Sequence, residues 1–150
     1  MPRPIAFMRP ASIAEAVAML SEHGDDAKIV AGSTALTIML RQHLIEPTVL
    51  VSIGRLPDAG LDDISVAAGR LRIGALVTHR EVERSPIVKQ AIPVLADTFS
   101  KVANVRVRNV ATVGGVVAEA DYASDPPAVL LALDAEIEAT GPEGDRKSVV

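Results

Sequence analysis

Three stretches of this 150-residue chain combine bare backbone, hydroxyls and carboxylates in ways that could hold a ligand. The first is IVAGSTALT, residues 29–37, an apolar run that passes through Gly32 into a helical pattern whose first turn carries Ser33 and Thr34. A tight turn there leaves backbone N–H groups unpaired at a helix N-terminus, where the macrodipole also favours negative charge. Such an end can hold a pyrophosphate without cationic side chains; equally, Ser33 or Thr34 could do no more than cap a strand–helix junction. The second is ATVGGVV, residues 111–117. Gly114 and Gly115 admit backbone conformations closed to other residues, or let a ligand lie against the chain, and the plainer alternative is a β-bulge or a close strand–helix contact. The third is ADYASDPPAVLL, residues 120–131, where Asp125 precedes Pro126 and is placed to cap a helix. A ligand hydroxyl could share that carboxylate, with Asp121 and Ser124 as neighbouring polar candidates.

Other chemistries find no support. Neither G-x-G-x-x-G nor a Walker A loop occurs. His23, His43 and His79 lack metal-ligand spacing and fall at helix ends and in a capping box, where surface or dipole roles are expected. No G-x-S-x-G is present, and no histidine has an evident carboxylate partner. With no acid–base pair in view, any reaction here belongs to a cofactor.

The elements that would position these stretches follow from periodicity and turn chemistry. Residues 5–10 read as a strand and 12–20 as a helix, with Ser12 and Glu15 as a capping box and Gly24 beyond its end. A strand at 27–32, a helix at 33–44 and a strand at 48–54 complete β-α-β-α-β, the pattern of a small parallel sheet. After LPDAGLDD, residues 64–77 alternate around an AGR turn as a hairpin. Thr78 and Glu81 form a second capping box. Ser85 caps a further helix, kinked at Pro93. NVRVRNVATVGGVVAEA mixes strand and glycine turn, 125–133 is a Pro-started helix, 135–141 is a strand, and RKSVV begins another.

Composition narrows the partners. With 49% apolar residues the chain should fold around a core, and its aromatics are Phe7, Phe99 and Tyr122, so a planar ligand would be held mainly by backbone and aliphatic groups. The net charge of −4, with the densest basic patch only Arg106 and Arg108, argues against nucleic acid. Without cysteine the chain ligates no iron–sulfur cluster or zinc–thiolate site. No signal-like segment and no apolar run near about 18 residues occurs, so a soluble, cytoplasmic protein with no transmembrane segment is expected.

Taken in order, Phe7, Pro10, Ser12, Glu15, Ala16 and Leu20, then KIVAGST, LVSIGRLP, LRIGALVTHREVERSP, VRNVATVGG and ASDPPAVLLAL, run through nearly the whole chain. This series resembles the FAD-binding medium subunit of the molybdenum-containing hydroxylases, the family of carbon monoxide dehydrogenase and xanthine dehydrogenase medium chains. The resemblance implies an α+β fold: an N-terminal βαβαβ FAD-binding subdomain over residues 1–56 and a second mixed subdomain over 57–150, with FAD in the cleft between them. It further implies that backbone N–H groups of Gly32, Ser33, Thr34, Ala35 and Leu36, and of Ala111, Thr112, Val113, Gly114 and Gly115, surround the FAD pyrophosphate. Asp125 aligns with an aspartate suited to a ribitol or ribose hydroxyl, and Thr78 and His79 match a family Thr-His. Ser33, Ala35 and Val116 depart from the family's usual glycine, polar residue and asparagine.

The implied role is electron transfer, with no catalytic or metal-binding residue on this chain. A large molybdenum-cofactor subunit would oxidise the substrate, a small [2Fe–2S] subunit would relay the electrons, and FAD here would pass them to an external acceptor, in a heterotrimer that itself dimerises. The family's C-terminal subdomain has no counterpart in the 150 residues, so the FAD-binding portion of a longer or separately encoded subunit is expected. A stand-alone flavoprotein oxidoreductase of the same fold and a non-catalytic nucleotide-binding or assembly module are the alternatives.

Overall fold

The computed structural model describes residues 4–57 and 60–149. Asp58 and Ala59 of the LPDAGLDD connection, and Val150 at the end of the expected last strand, lie outside the described residues. Packing divides the chain into two units, residues 1–58 with 138–147 and residues 59–137 with 148–150.

The first unit is built from β1 (Ala6–Met8), α1 (Ile13–His23), β2 (Ala27–Val30), α2 (Thr34–Arg41) and β3 (Val49–Ser52). Its strands run parallel in the order β1-β3-β2, with Val49 of the central strand flanked by Ala6 and Ala27. Alternation along β3 sends Val49 and Val51 to one face, where they are buried with Ala16 and Ala27 and covered by Met19 and Leu20 of α1. Ser12 caps α1 by accepting the Glu15 N–H at 3.1 Å, while the Glu15 carboxylate reaches back to the Ala11 N–H at 2.6 Å. Helix α2 is shorter than its sequence pattern, closing at Gln42, whose N–H bonds the Ile38 carbonyl.

The second unit opens with a hairpin, β4 (Ile64–Ala67) and β5 (Arg70–Ile73). Ala68 and Gly69 turn it with φ of 51° and 76°, the paired positive values that match the right-handed twist of the flanking strands. Six helices follow: α3 (His79–Arg84), α4 (Pro86–Ala91), α5 (Pro93–Lys101), α6 (Val105–Arg108), α7 (Val113–Glu119) and α8 (Asp125–Ala132). Their shared core is Phe99 with Val77, Val82, Val88, Leu95, Ala96 and Val116, and the hairpin lays Ile64, Leu71 and Ile73 against it. Each fully buried side chain of this kind contributes about 1.5–3 kcal/mol. The chain then forms the two-stranded pair β6 (Glu136–Gly141) and β7 (Gly144–Val149).

The α+β class and the opening β-α-β-α-β order match expectation. Two local features differ. Pro93 begins α5 as a separate helix, because Ile92 before it is driven to φ −142°, ψ 78°, out of the helical region. Residues 104–120, expected as strand and glycine turn, fold instead as α6 and α7. Valine and glycine both disfavour helix, yet burial of Val116 beside Phe99 outweighs their propensities.

Candidate FAD-binding site

Chain leaving β2 passes Gly32 and enters α2 through Ser33, which has φ 60° and ψ 14°. That left-handed conformation is costly for a residue with a Cβ and natural for the glycine the family favours there. The Ser33 hydroxyl makes no cap; it lies 2.9 Å from the Thr37 hydroxyl, along the helix. The Ser33 carbonyl accepts the Thr37 N–H at 3.1 Å. The amides of Ser33, Thr34, Ala35 and Leu36 meet no protein acceptor among the described residues. Four consecutive donors at the positive end of a helix form an anion cradle that needs no basic side chain.

The second glycine stretch is built differently. The first-turn amides of α7 are all spent within the protein: Val113 on the Val77 carbonyl at 2.9 Å, Gly114 on Ala75 at 2.8 Å, Gly115 on the Thr112 hydroxyl at 3.1 Å and Val116 on the Thr112 carbonyl at 3.1 Å. Gly114 is required by close approach, since a Cβ there would lie 2.8 Å from both the Cβ and the carbonyl oxygen of Ala75. Gly115 is exposed, and a Cβ on it would meet only the Thr112 hydroxyl, at 2.9 Å. Ala111 and Thr112 are buried. What this stretch presents outward is therefore the Gly115 surface, with no open amide from 113 to 116.

Thr112 also pairs with Thr78 across an isolated antiparallel bridge, and the His79 N–H bonds the Ala111 carbonyl at 2.9 Å. His79, expected at the surface, is 2% exposed. Its Nε2 lies 3.2 Å from the Thr112 carbonyl oxygen, and its ring meets Phe99 edge-on at 4.8 Å. Burial lowers the His79 pKa, the Thr112 bond partly offsets this, and the charge of Arg108 lowers it further, for a net value below 6.5. The readable signal was its i, i+3 spacing to Val82, which shares the buried face of α3.

Arg108, read from sequence as part of a basic patch, is instead a structural tie. It bonds the carbonyls of Val102 and Ala103 at 2.9 and 3.1 Å, past the end of α5, and the Glu83 carboxylate at 3.1 Å. Arg80 holds the other Glu83 oxygen at 2.7 Å. Burial alone would raise the Glu83 pKa, but the bonds from Arg80 and Arg108 outweigh it and keep the carboxyl below its ordinary 4.5. Its stabilising contribution is therefore complete above that value and is lost as the pH falls through the lower folded one. Glu83→Gln should flatten the acid limb of stability against pH below about 4.5; an unaltered limb in urea titrations at several pH values would contradict the ion pair.

Asp125 sits at the first position of α8, with Ser124 rather than Asp125 at the cap. Its carboxylate is exposed and makes no hydrogen bond or ion pair among the described residues, so a ligand hydroxyl can take it. Asp121, by contrast, accepts the Ala123 N–H at 2.9 Å and closes the preceding turn.

The open amides at the start of α2 can receive an anion, and the Asp125 carboxylate can receive a hydroxyl. The family model described as the FAD binding domain in molybdopterin dehydrogenase matches residues 3–150, and the chain belongs to that family. FAD is its cofactor, and the four open amides of residues 33–36 suit the two negative charges of a pyrophosphate.

Among relatives, the 6-hydroxypseudooxynicotine dehydrogenase complex subunit alpha of Paenarthrobacter nicotinovorans is 39% identical over 136 residues, 91% of this chain and 45% of that protein. The carbon monoxide dehydrogenase medium chain of Hydrogenophaga pseudoflava is 35% identical, over 93% of this chain and 48% of that one. The solved structure of quinoline 2-oxidoreductase from Pseudomonas putida 86 superposes with a TM-score of 0.92 at 33% identity, covering 99% of this chain and 52% of the other. Reconstituted CO dehydrogenase from Oligotropha carboxidovorans gives 0.94 at 32% identity, covering 99% and 51%. The chain thus spans about half the length of the relatives it matches. No helix among the described residues is long and apolar enough to cross a membrane.

Proposed function

We propose that this chain is the flavin-carrying module of a cytoplasmic molybdenum hydroxylase, in which electrons from a large molybdenum-cofactor subunit arrive through a small [2Fe–2S] subunit and leave to an external acceptor. The chain turns into α2 at Ser33, Gly32 lies beside the pyrophosphate, and the amides of Ser33, Thr34, Ala35 and Leu36 hold it. Ala111, Thr112, Val113, Gly114 and Gly115 form a rigid segment whose Gly115 surface lies against the cofactor. The Asp125 carboxylate accepts a ribitol or ribose hydroxyl. Bound FAD supplies the capacity to take up electrons and release them, and the protein supplies binding and orientation. The observation that carries this reading is the run of four open amides at α2 in a chain of an FAD-binding family. Named relatives that are a complex subunit and a medium chain of dehydrogenases support a division of labour between subunits.

The test is reduction by partners. Flavin absorbance of the chain assembled with its large and small subunits should bleach when substrate is added, and should persist when the small subunit is withheld. Bleaching by substrate with neither partner present would favour a stand-alone flavoprotein, and an assembled complex without flavin absorbance would favour a binding module. Within the chain, Gly115→Val should remove most bound FAD while costing only about 1 kcal/mol of stability through the Thr112 cap it disturbs. Unchanged cofactor content would exclude Gly115 from the site.

A further inference from the structure

We propose that His79 is a positioning residue for the flavin site, donating its Nε2–H to the Thr112 carbonyl and so locking the 111–115 segment in the form that receives the cofactor. The inference rests on the reading of that segment as a flavin contact.

Thr112 is the pivot of the segment. Its carbonyl accepts the Val116 N–H that starts α7, and its hydroxyl accepts the Gly115 N–H. His79 grips this pivot twice over, with its backbone N–H on the neighbouring Ala111 carbonyl and its ring on the Thr112 carbonyl itself. A carbonyl oxygen can only accept, so Nε2 must carry the proton and Nδ1 is left with a lone pair. That Nδ1 is buried and has no partner. An unsatisfied buried acceptor costs about 1–3 kcal/mol, which an aliphatic residue packed on Phe99 would avoid. Histidine is thus a poor choice for stability alone, and its distinguishing feature at this position is the Nε2–H bond.

The same geometry makes the lock sensitive to acid. A proton on Nδ1 would place a charge in the core with no acceptor. Arg108, from α6, opposes that charge; Glu83 and Arg80 of the histidine's own helix are engaged with Arg108 and with each other. From α5 the ring meets Phe99, while Asp97 and Lys101 pair together at the surface. Because the folded pKa is depressed, the neutral ring is complete above 6.5; as the pH falls through the lower folded value the imidazolium keeps its Nε2–H donor, and the buried charge on the Nδ1 side works against the packed position from which the ring holds the segment.

The experiment is FAD titration of the full chain, followed by flavin fluorescence from pH 8 to pH 5, for the wild type, His79→Leu and His79→Gln. At pH 8 His79→Leu should keep its circular dichroism and a thermal midpoint no lower than the wild type's, yet bind FAD about tenfold more weakly, the worth of roughly one hydrogen bond. His79→Gln, whose amide N–H can reach the same carbonyl, should bind within about threefold of the wild type and lack the wild type's loss of affinity below pH 6.5. Wild-type affinity in His79→Leu, or equal losses in both variants, would overturn the proposal. If His79→Leu does not fold, the His79→Gln profile decides, and a slope like the wild type's overturns it. Failure of the flavin reading itself would appear earlier and separately, as a wild type that binds no FAD at pH 8, and would remove this proposal with it.

Discussion

Gly74→Val should strongly destabilise the second unit, the largest stability effect expected of a single substitution in the chain. A Cβ at Gly74 would collide with the carbonyl oxygens of Gly60 and Leu61, both backbone atoms. The two segments cannot simply part, because the Gly74 N–H bonds the Asp63 carbonyl at 2.9 Å and the Leu76 N–H bonds Leu61 at 2.6 Å. Overpacking of this kind costs roughly 1–3 kcal/mol, and losing the two hydrogen bonds adds about 1 kcal/mol each. A total of about 3–5 kcal/mol is a large share of the roughly 5–15 kcal/mol that a domain has. The loss reaches the 111–115 segment, since Ala75, next to Gly74, supplies the carbonyl that Gly114 bonds. Urea unfolding followed by circular dichroism would measure it, and a wild-type midpoint would show that the close approach does not exist. Gly114→Ala should also destabilise, but by less than Gly74→Val, since its Cβ would approach the Cβ and carbonyl oxygen of Ala75 only to 2.8 Å, a milder collision than the one at Gly74.

Ala35→Asp should separate binding from stability by moving them in opposite directions. Ala35 is the second residue of α2, and its amide is one of the four open donors. A carboxylate there meets the helix dipole and should stabilise the cofactor-free chain by about 0.3–1 kcal/mol. If the pyrophosphate is held by these amides, the same charge repels it, by roughly 3 kcal/mol for a separation of about 5 Å at an effective dielectric constant of about 20. FAD affinity should fall by about two orders of magnitude while the thermal midpoint of the flavin-free chain rises. Equal FAD affinity in the variant and the wild type would place the phosphates elsewhere.

What sequence made legible was local. Ser12 and Thr78 announced helix starts, Ala68–Gly69 announced a hairpin, and the β-α-β-α-β order announced a parallel sheet, though not which strand lies at its centre. The open donors at α2 were likewise readable, because their openness depends on what the adjoining residues lack. The state of α7 was not, because the acceptors that close its amides, Ala75 and Val77, come from a distant part of the chain. Two glycines among valines look like a bulge until Val116 is known to fill the space beside Phe99 and Gly114 to rest on Ala75. His79 and Arg108 were misjudged for a related reason: polar residues default to the surface, and only tertiary partners such as the Thr112 carbonyl and Glu83 bring them inside.

Amide hydrogen exchange across α2 and α7, with and without FAD, tests the central claim most directly. Open donors that take up a pyrophosphate should become strongly protected, so Ser33, Thr34, Ala35 and Leu36 should slow on FAD addition, while the amides of residues 113–116, already bonded within the protein, should change little. Bound FAD that leaves exchange at residues 33–36 unaltered would contradict the account.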